Sequence, residues 1–150
     1  MYHDDYPTCA ETFATLIIAH RELDPAAVPS ALHSEPSRAW RRGEPRNSTG
    51  SQPAIAKEGE WRLSTRDHVT SRDVRRHVDW LLDRVELGRE ALSKLQLQGY
   101  ETEVAFYWRS ASGHGGPALP PETLSRLGSL GLAIWFDFYY LPDDEKSETE

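Results

Sequence analysis

The chain has 150 residues, 38% of them hydrophobic, with five Trp, six Tyr and four Phe, which suffices for one folded domain but not for two ordinary ones. Its 24 acidic and 17 basic residues give a formal net charge of -7, which argues against non-specific binding to nucleic-acid phosphates. A lone cysteine, Cys9, excludes an intramolecular disulfide, and the sequence has neither a signal-peptide pattern nor an apolar run of membrane-spanning length. We therefore expect a soluble, cytoplasmic protein that binds neither nucleic acid nor membrane.

The first predicted elements are a strand and a short helix. Residues 12–20 are apolar on both alternating sets of positions, which is typical of a strand buried on both faces. Asp24 before Pro25 predicts the N-cap and first turn of a helix, which must end before Pro36. Residues 1–11, which precede the strand, are expected to be flexible.

The segment SEPSRAWRRGE, residues 34–44, concentrates cationic and aromatic side chains. Trp40 is expected to pack against the sheet as a structural anchor. Arg38, Arg41 and Arg42 are expected at its rim, because a guanidinium group binds carboxylate or phosphate in a bidentate manner. Their expected partners are Glu35, Asp137 or an anionic ligand.

A loop, a strand and a long helix follow. Residues 43–59 are rich in Gly, Pro, Ser and Asn and predict a mobile loop, and residues 61–65 alternate as a half-buried strand. Residues 70–99 carry apolar side chains at helical spacing, with a capping-box pattern at Thr70 and Asp73. Gly88 predicts a bend or break within this helix.

Two further strands are predicted at residues 100–110 and 132–140, with a short helix between them that begins at Pro120 and Pro121. Alternation directs one set of side chains toward the helices: Val104, Phe106, Trp108, Ile134, Phe136 and Phe138. It directs the other set to the opposite face: Tyr107, Arg109, Trp135, Asp137 and Tyr139. This face is either exposed as a binding surface or covered by the loop at residues 43–59 or by the segment at residues 34–44. Residues 142–150 are acidic and expected to be disordered.

The order of elements, β-α-β-α-β-α-β, predicts one α+β domain over residues 12–141. We expect a two-layer sandwich with a mixed or antiparallel sheet of about four strands and helices mainly on one face. Two β-α-β halves joined by the long helix make it a variant of the ferredoxin-like fold.

A succession of short motifs resembles an uncharacterised bacterial family, catalogued as domain of unknown function 4279. The motifs are LDP at 23–25, EPSRAWRRG at 35–43, WRLST at 61–65, HVDWLL at 77–82, YW at 107–108, GGPAL at 115–119 and FDFYY at 136–140. The resemblance covers residues 12–140 and implies a bacterial single-domain protein. It implies no catalytic residue.

Metal and cofactor sites are not indicated. The six histidines lack close ligand spacing, one cysteine cannot build a structural zinc site, and no phosphate-loop or dinucleotide motif occurs. The SGHGGP turn around His114 is either a tight turn or, in the alternative, an anion-binding loop. Asp137 could pair with Glu101 or Glu103 for acid–base chemistry, or all three could be solvated surface acids.

Two functions remain after these exclusions. The first is a non-catalytic module that binds a protein partner or a second copy of itself, for instance a protein that neutralises a toxin. Its expected binding residues are Arg38, Trp40, Arg41, Tyr107, Arg109, Trp135, Asp137 and Tyr139. The alternative is a small enzyme that holds an anionic small molecule with Arg38 or Arg41 and moves a proton with His114 or Asp137.

Overall fold

A computed structural model describes residues 1–46, 52 and 54–142 of the chain. The strands are β1 (Cys9–His20), β2 (Arg38–Trp40), β3 (Gly59–Ser64), β4 (Glu101–Ser110) and β5 (Ala133–Tyr140). The helices are α1 (Val28–Leu32), α2 (Val74–Val85), α3 (Arg89–Leu97) and α4 (Pro121–Ser129). The centre of the predicted 43–59 loop and the predicted acidic tail from residue 143 lie outside the described residues.

The strands form one mixed sheet in the order β2-β3-β1-β4-β5. β4 and β5 are parallel and are joined through α4, whereas all other neighbours are antiparallel. This confirms the predicted α+β class. The sheet has five strands rather than about four, because the arginine-rich segment itself contributes β2 along the edge of β3.

The main core lies between the helices and one face of the sheet. The central strands contribute Leu16, Ile18, Trp61, Val104 and Phe106 to it, all 1% exposed or less. Each helix contributes buried side chains to the same cluster: Val28 and Leu32 from α1, Val78, Leu81 and Leu82 from α2, Leu92 from α3, and Leu127 from α4. All four helices therefore cover the same face.

The start of α1 differs from its prediction. The Asp24 carboxylate accepts a hydrogen bond from the Ala26 N–H, which makes a local turn, and α1 begins four residues after Asp24 with Ala27 as its N-cap. Pro29 consequently falls in the first turn, where its missing N–H costs nothing.

The long helix also starts later than the capping-box pattern indicates. Asp73, not Thr70, is the N-cap of α2, and its carboxylate accepts the Arg75 N–H at 3.0 Å. Burial by itself would raise the pKa of the Asp73 carboxyl. The hydrogen bonds from the Arg75 side chain and from the His3 and Arg75 N–H groups outweigh this effect, so the net pKa is lowered. The carboxylate therefore stays charged at the helix N-terminus, where the helix dipole favours it.

The predicted break at Gly88 is present as a single 3-10 turn, Glu86–Gly88, between α2 and α3. A Cβ added to Gly88 would lie 2.7 Å from the Ala31 carbonyl oxygen and 2.9 Å from Leu32 Cδ2. The glycine therefore lets the end of α1 approach the joint directly.

The first residues, which we expected to be flexible, contact α2. The Tyr2 hydroxyl donates to Asp79 at 2.7 Å, the His3 N–H donates to Asp73 at 2.8 Å, and Arg76 forms an ion pair with Asp4 at 2.7 Å.

Among the described residues, no helix is long and apolar enough to cross a membrane.

Helix α4 is fixed to α2 by one arginine. The Arg126 guanidinium donates to Asp79 at 2.8 Å, to Asp83 at 2.9 Å and to Glu86 at 3.1 Å. Because α4 is the crossover from β4 to β5, these contacts help to position the last strand.

Candidate functional site

The face of the sheet opposite the helices is covered by no helix in the part of the chain that the structure describes. We call it the open face. Its side chains come from alternate positions of the strands, as predicted for the last two strands: Phe13, Thr15 and Ile17 from β1, Arg38 and Trp40 from β2, Glu60 and Arg62 from β3, Glu103, Tyr107 and Arg109 from β4, and Trp135, Asp137 and Tyr139 from β5.

Aromatic rings stack in a row across the open face. Phe13 stacks on Tyr107 with ring centroids 4.6 Å apart, and Tyr107 stacks on Tyr139 at 5.1 Å. We call these three residues the aromatic row. Trp135, on the same strand as Tyr139, is 43% exposed and Tyr139 is 45% exposed. The outer end of the row is therefore an aromatic surface in contact with solvent.

One side chain predicted to face the helices is not covered by them. Phe138 occupies the helix side of β5 in register with Trp108, but it is 59% exposed. It stacks on Phe136 at 5.4 Å. Phe138 therefore lies on the predicted face of the sheet, but it is not buried there.

The β4–β5 half of the open face is acidic. The Asp137 carboxylate accepts a hydrogen bond from the Tyr139 hydroxyl at 3.0 Å, which raises the pKa of Tyr139. Arg109 lies 3.5 Å from Glu11, so it is Glu11 rather than Asp137 that holds this arginine. Within the described ranges, Asp137 and Glu103 have no cationic partner.

The suggested acid pair is not formed. Glu103 is in register with Ala133, whereas Asp137 is in register with Tyr107, four residues further along the parallel strands. Four residues correspond to about 13 Å. The carboxylates of Glu103 and Asp137 are therefore too far apart to share a proton or a substrate atom.

Trp40 lies at the opposite edge of the open face, where it is 5% exposed. Three guanidinium groups surround its ring, with centroid distances of 5.5 Å for Arg38, 4.8 Å for Arg46 and 5.2 Å for Arg62. Arg62 also forms an ion pair with Glu60 at 2.7 Å. Cation–π contacts thus hold Trp40 against the sheet edge and hold the arginines in place.

Arg41 and Arg42 point away from this cluster. Arg41 forms an ion pair with Asp24 at 2.7 Å, and Arg42 lies 3.7 Å from Glu22. Both contacts fasten the end of β2 to the turn between β1 and α1. Of the three arginines in the segment at residues 34–44 that were expected to bind, Arg38 alone contributes to the open face.

The residues of the enzyme hypothesis are not brought together. Arg38 and Asp137 lie on the two edge strands, separated by four strand spacings or about 19 Å. His114 is exposed in the turn after β4, where its main-chain carbonyl accepts from Ser110. Since Arg38 is in register with Arg62 and through it with Ile17 and Glu103, His114 lies beyond the far end of β4.

Two further features bear on chemistry, namely the reactivity of the Cys9 thiol and the placement of side chains that could bind a metal. Burial raises the pKa of the Cys9 thiol to about 11, so the thiol stays protonated and is a poor nucleophile. In the described part of the chain, no group of three or more His, Cys, Asp or Glu residues could hold a metal ion.

Sequence reasoning did not single out Arg62 and Arg66. Arg62 alternates with the buried Trp61 and Leu63, which places it on the open face, and Arg66 follows β3 and lies 5.3 Å above the Phe13 ring. The alternation of β3 was a usable signal for Arg62. The contact between Arg66 and Phe13 depends on strand order, which the sequence did not provide.

Comparisons with known proteins identify a family but no activity. The chain has no significant match among curated proteins or solved structures. A family model matches residues 10–141, from the second residue of β1 to just beyond β5. The chain therefore belongs to the family described as Domain of unknown function (DUF4279).

Proposed function

We propose that the protein is a non-catalytic interaction module that binds a protein partner on the open face of its sheet. The exposed aromatic surface formed by Trp135 and by Tyr139, the outer residue of the aromatic row, supports this proposal most directly. Aromatic side chains are enriched at the energetic centres of protein interfaces, because they bury a large area at low entropic cost. A solvent-facing group of this kind on an uncovered sheet is typical of a docking surface.

The expected partner is a protein with a basic surface around an apolar patch. Asp137 and Glu103 border the aromatic residues and have no cationic partner among the described residues, and the chain as a whole carries a formal net charge of -7. Lys or Arg side chains of a partner would pair with these carboxylates at the rim, while an apolar patch would cover Trp135 and Tyr139.

One specific form of this function is neutralisation of a toxin in the bacterial cytoplasm. A basic toxin would complement the acidic β4–β5 half of the face, and a neutralising protein needs a docking surface but no catalytic group. Binding to the product of a neighbouring toxin gene would test this form directly. Failure to bind any such product would reject the toxin version, although not the docking surface.

The test is native mass spectrometry of the protein purified gently from its own host. We expect a heteromeric complex for the parent chain and its loss for the double variant Trp135→Ala, Tyr139→Ala. Leu97→Ala is a matched control, since Leu97 is 86% exposed at the end of α3, away from the open face. This control should retain the complex.

Three results would contradict the proposal. A complex that persists in the double variant would place the interface elsewhere on the molecule. A bare monomer in the parent sample would argue against a stable protein partner, and a homodimer abolished by the double variant would identify a second copy as the occupant instead.

A further inference from the structure

A cavity of about 310 Å³ opens on the β3 side of the open face, apart from the exposed aromatic surface. Three arginines line it, Arg38, Arg62 and Arg66, together with Ser37, Ser64 and the ring of Phe13. Asp67 also lines the cavity, so cationic side chains outnumber anionic ones by three to one. This is a local reversal of charge in a chain with an overall acidic composition.

The three arginines differ in how far they are neutralised. Arg62 donates to Glu60 through both Nε and a terminal nitrogen, at 2.7 Å each, and is already paired. Arg66 comes no closer than 4.0 Å to its nearest partner, Glu11, and its side chain is 64% exposed. Arg38 makes no ion pair with any described residue. Two guanidinium groups at the cavity therefore lack a close carboxylate.

Aromatic rings, rather than acids, hold these two guanidinium groups in place. Arg38 lies over Trp40 at 5.5 Å and Arg66 lies over Phe13 at 5.3 Å. A ring beneath a guanidinium group occupies its face and leaves its N–H edge free to donate to an anion. The side chains are thus oriented in advance, which reduces the entropy lost on binding.

Two hydroxyl groups complete the set of donors. Ser37 Oγ accepts the Ser64 N–H at 2.9 Å, and Ser64 Oγ accepts the Arg66 N–H at 3.2 Å. Each hydroxyl oxygen is therefore fixed by the main chain. In the described part of the molecule neither hydroxyl donates to an acceptor, so both protons are available at the cavity.

We propose that this cavity binds an oxyanion, a phosphate or carboxylate group of a small molecule, through Arg38 and Arg66 with the Ser37 and Ser64 hydroxyls. The guanidinium edges supply bidentate, charge-assisted hydrogen bonds. The site is separate from the aromatic surface around Trp135. The result of a test for anion binding is therefore independent of the result of the test for protein binding.

The test is a titration followed by the side-chain Nε–H signals of the arginines in ¹H–¹⁵N NMR spectra. Inorganic phosphate and acetate are added separately, and sodium chloride at matched ionic strength gives the baseline. We expect saturable shifts of the Arg38 and Arg66 signals with at least one of the two anions. A preference for phosphate would assign the site to phosphorylated molecules, and a preference for acetate would assign it to carboxylates.

Three variants make the result specific. Arg38→Gln and Arg66→Gln should each weaken binding by about tenfold or more, because each removes charge-assisted hydrogen bonds. Arg41→Gln is the matched control from the same segment, since Arg41 is paired with Asp24, and it should bind like the parent. The amide spectrum of each variant verifies folding, and a second site variant remains if one fails to fold.

The proposal is overturned if neither anion shifts the arginine signals beyond the chloride baseline. It is equally overturned if the signals of Arg41 and Arg42 shift as much as those of Arg38 and Arg66, since that result would indicate general screening of surface charge. Unchanged affinity in both site variants would also reject it.

Discussion

His77 is a fully buried histidine whose two ring nitrogens are both used. Nε2 lies 2.9 Å from the Ser71 carbonyl oxygen and must donate to it, so Nδ1 accepts from the Thr65 hydroxyl at 2.6 Å. The Thr65 oxygen in turn accepts the Ala14 N–H of β1 at 2.9 Å. The neutral ring thereby links α2 to the central strand, and a second ring proton would have no acceptor without breaking this chain of hydrogen bonds.

The stability of the fold should therefore fall in mild acid. Desolvation lowers the pKa of His77 below its ordinary value of 6.5, so below that pH the unfolded chain binds more protons than the folded one. The melting temperature should be flat from about pH 8 to about pH 7 and fall as the pH drops through about 6.5. Thermal denaturation followed by circular dichroism measures this dependence.

Two variants distinguish His77 from the other titrating groups. His77→Gln keeps a donor for the Ser71 carbonyl and should lower stability by about 1–3 kcal/mol at pH 8, while removing much of the acid-dependent fall. His33→Gln, at an exposed position, should keep the parent dependence. An identical acid dependence in parent and His77→Gln would show that His77 is not its source.

Trp40 offers a second comparison between single residues, because two tryptophans of the open face differ sharply in burial. Trp40→Ala should lower the melting temperature by several degrees, since removing a large buried side chain costs about 3 kcal/mol or more. Trp135→Ala, at a 43% exposed position, should change it little. Equal melting temperatures for Trp40→Ala and the parent would rule out the anchor role of Trp40.

Secondary-structure elements were predictable where one physical signal dominates. Apolar alternation located β3, β4 and β5, and a continuous apolar run located β1, to within about three residues at each end. Helix starts were less predictable, since several residues near each start could act as caps. Asp73 is the cap of α2, and its carboxylate is held both by the neighbouring Arg75 side chain and by a tertiary hydrogen bond from the His3 N–H.

The close packing of α1 against the joint between α2 and α3 can be tested by substitution. Gly88→Ala should lower the melting temperature even though alanine is the better helix former, because its Cβ would meet the Ala31 carbonyl at 2.7 Å. Gly128→Ala in α4 is the matched control: its Cβ would have no atom within 4 Å, so the substitution should stabilise by about 0.5–1 kcal/mol.

Circular dichroism melts of both glycine variants provide the measurement. Opposite signs are expected, with shifts of about 2–4 °C for each kcal/mol in a chain of this size. A rise in melting temperature for both variants would mean that α1 can move away from the joint at little cost, and the close approach at Gly88 would then have no structural importance.

On the scale of the whole molecule, the distribution of charge determines which partners can approach. The open face is acidic along β4 and β5 and basic at the edge formed by β2 and β3. The sequence predicted the acidic and aromatic part, since alternation alone assigns Tyr107, Trp135 and Asp137 to one face. It could not predict that Arg62 and Arg66 join Arg38, because that requires the strand order β2-β3-β1.

Association with a basic partner should weaken as salt is added. Attraction across the solvent extends over about 30 Å at ~10 mM ionic strength but only about 8 Å at ~0.15 M. We expect the association rate of the complex recovered from the host to fall steeply between these conditions, while the dissociation rate changes less. Stopped-flow or surface-based kinetics would measure both, and a salt-independent association rate would argue against a basic partner.

The position of β1 has a consequence for biosynthesis. Of the five strands of the sheet, β1 is translated first and lies in the middle, and its neighbours β3 and β4 come much later in the chain. Until Ser110 has been translated, the apolar side chains of Leu16 and Ile18 lie in a strand that lacks one of its two partners. The nascent chain therefore carries β1 unpaired on one edge until β4 has been translated, and an unpaired apolar strand of this kind is prone to aggregation.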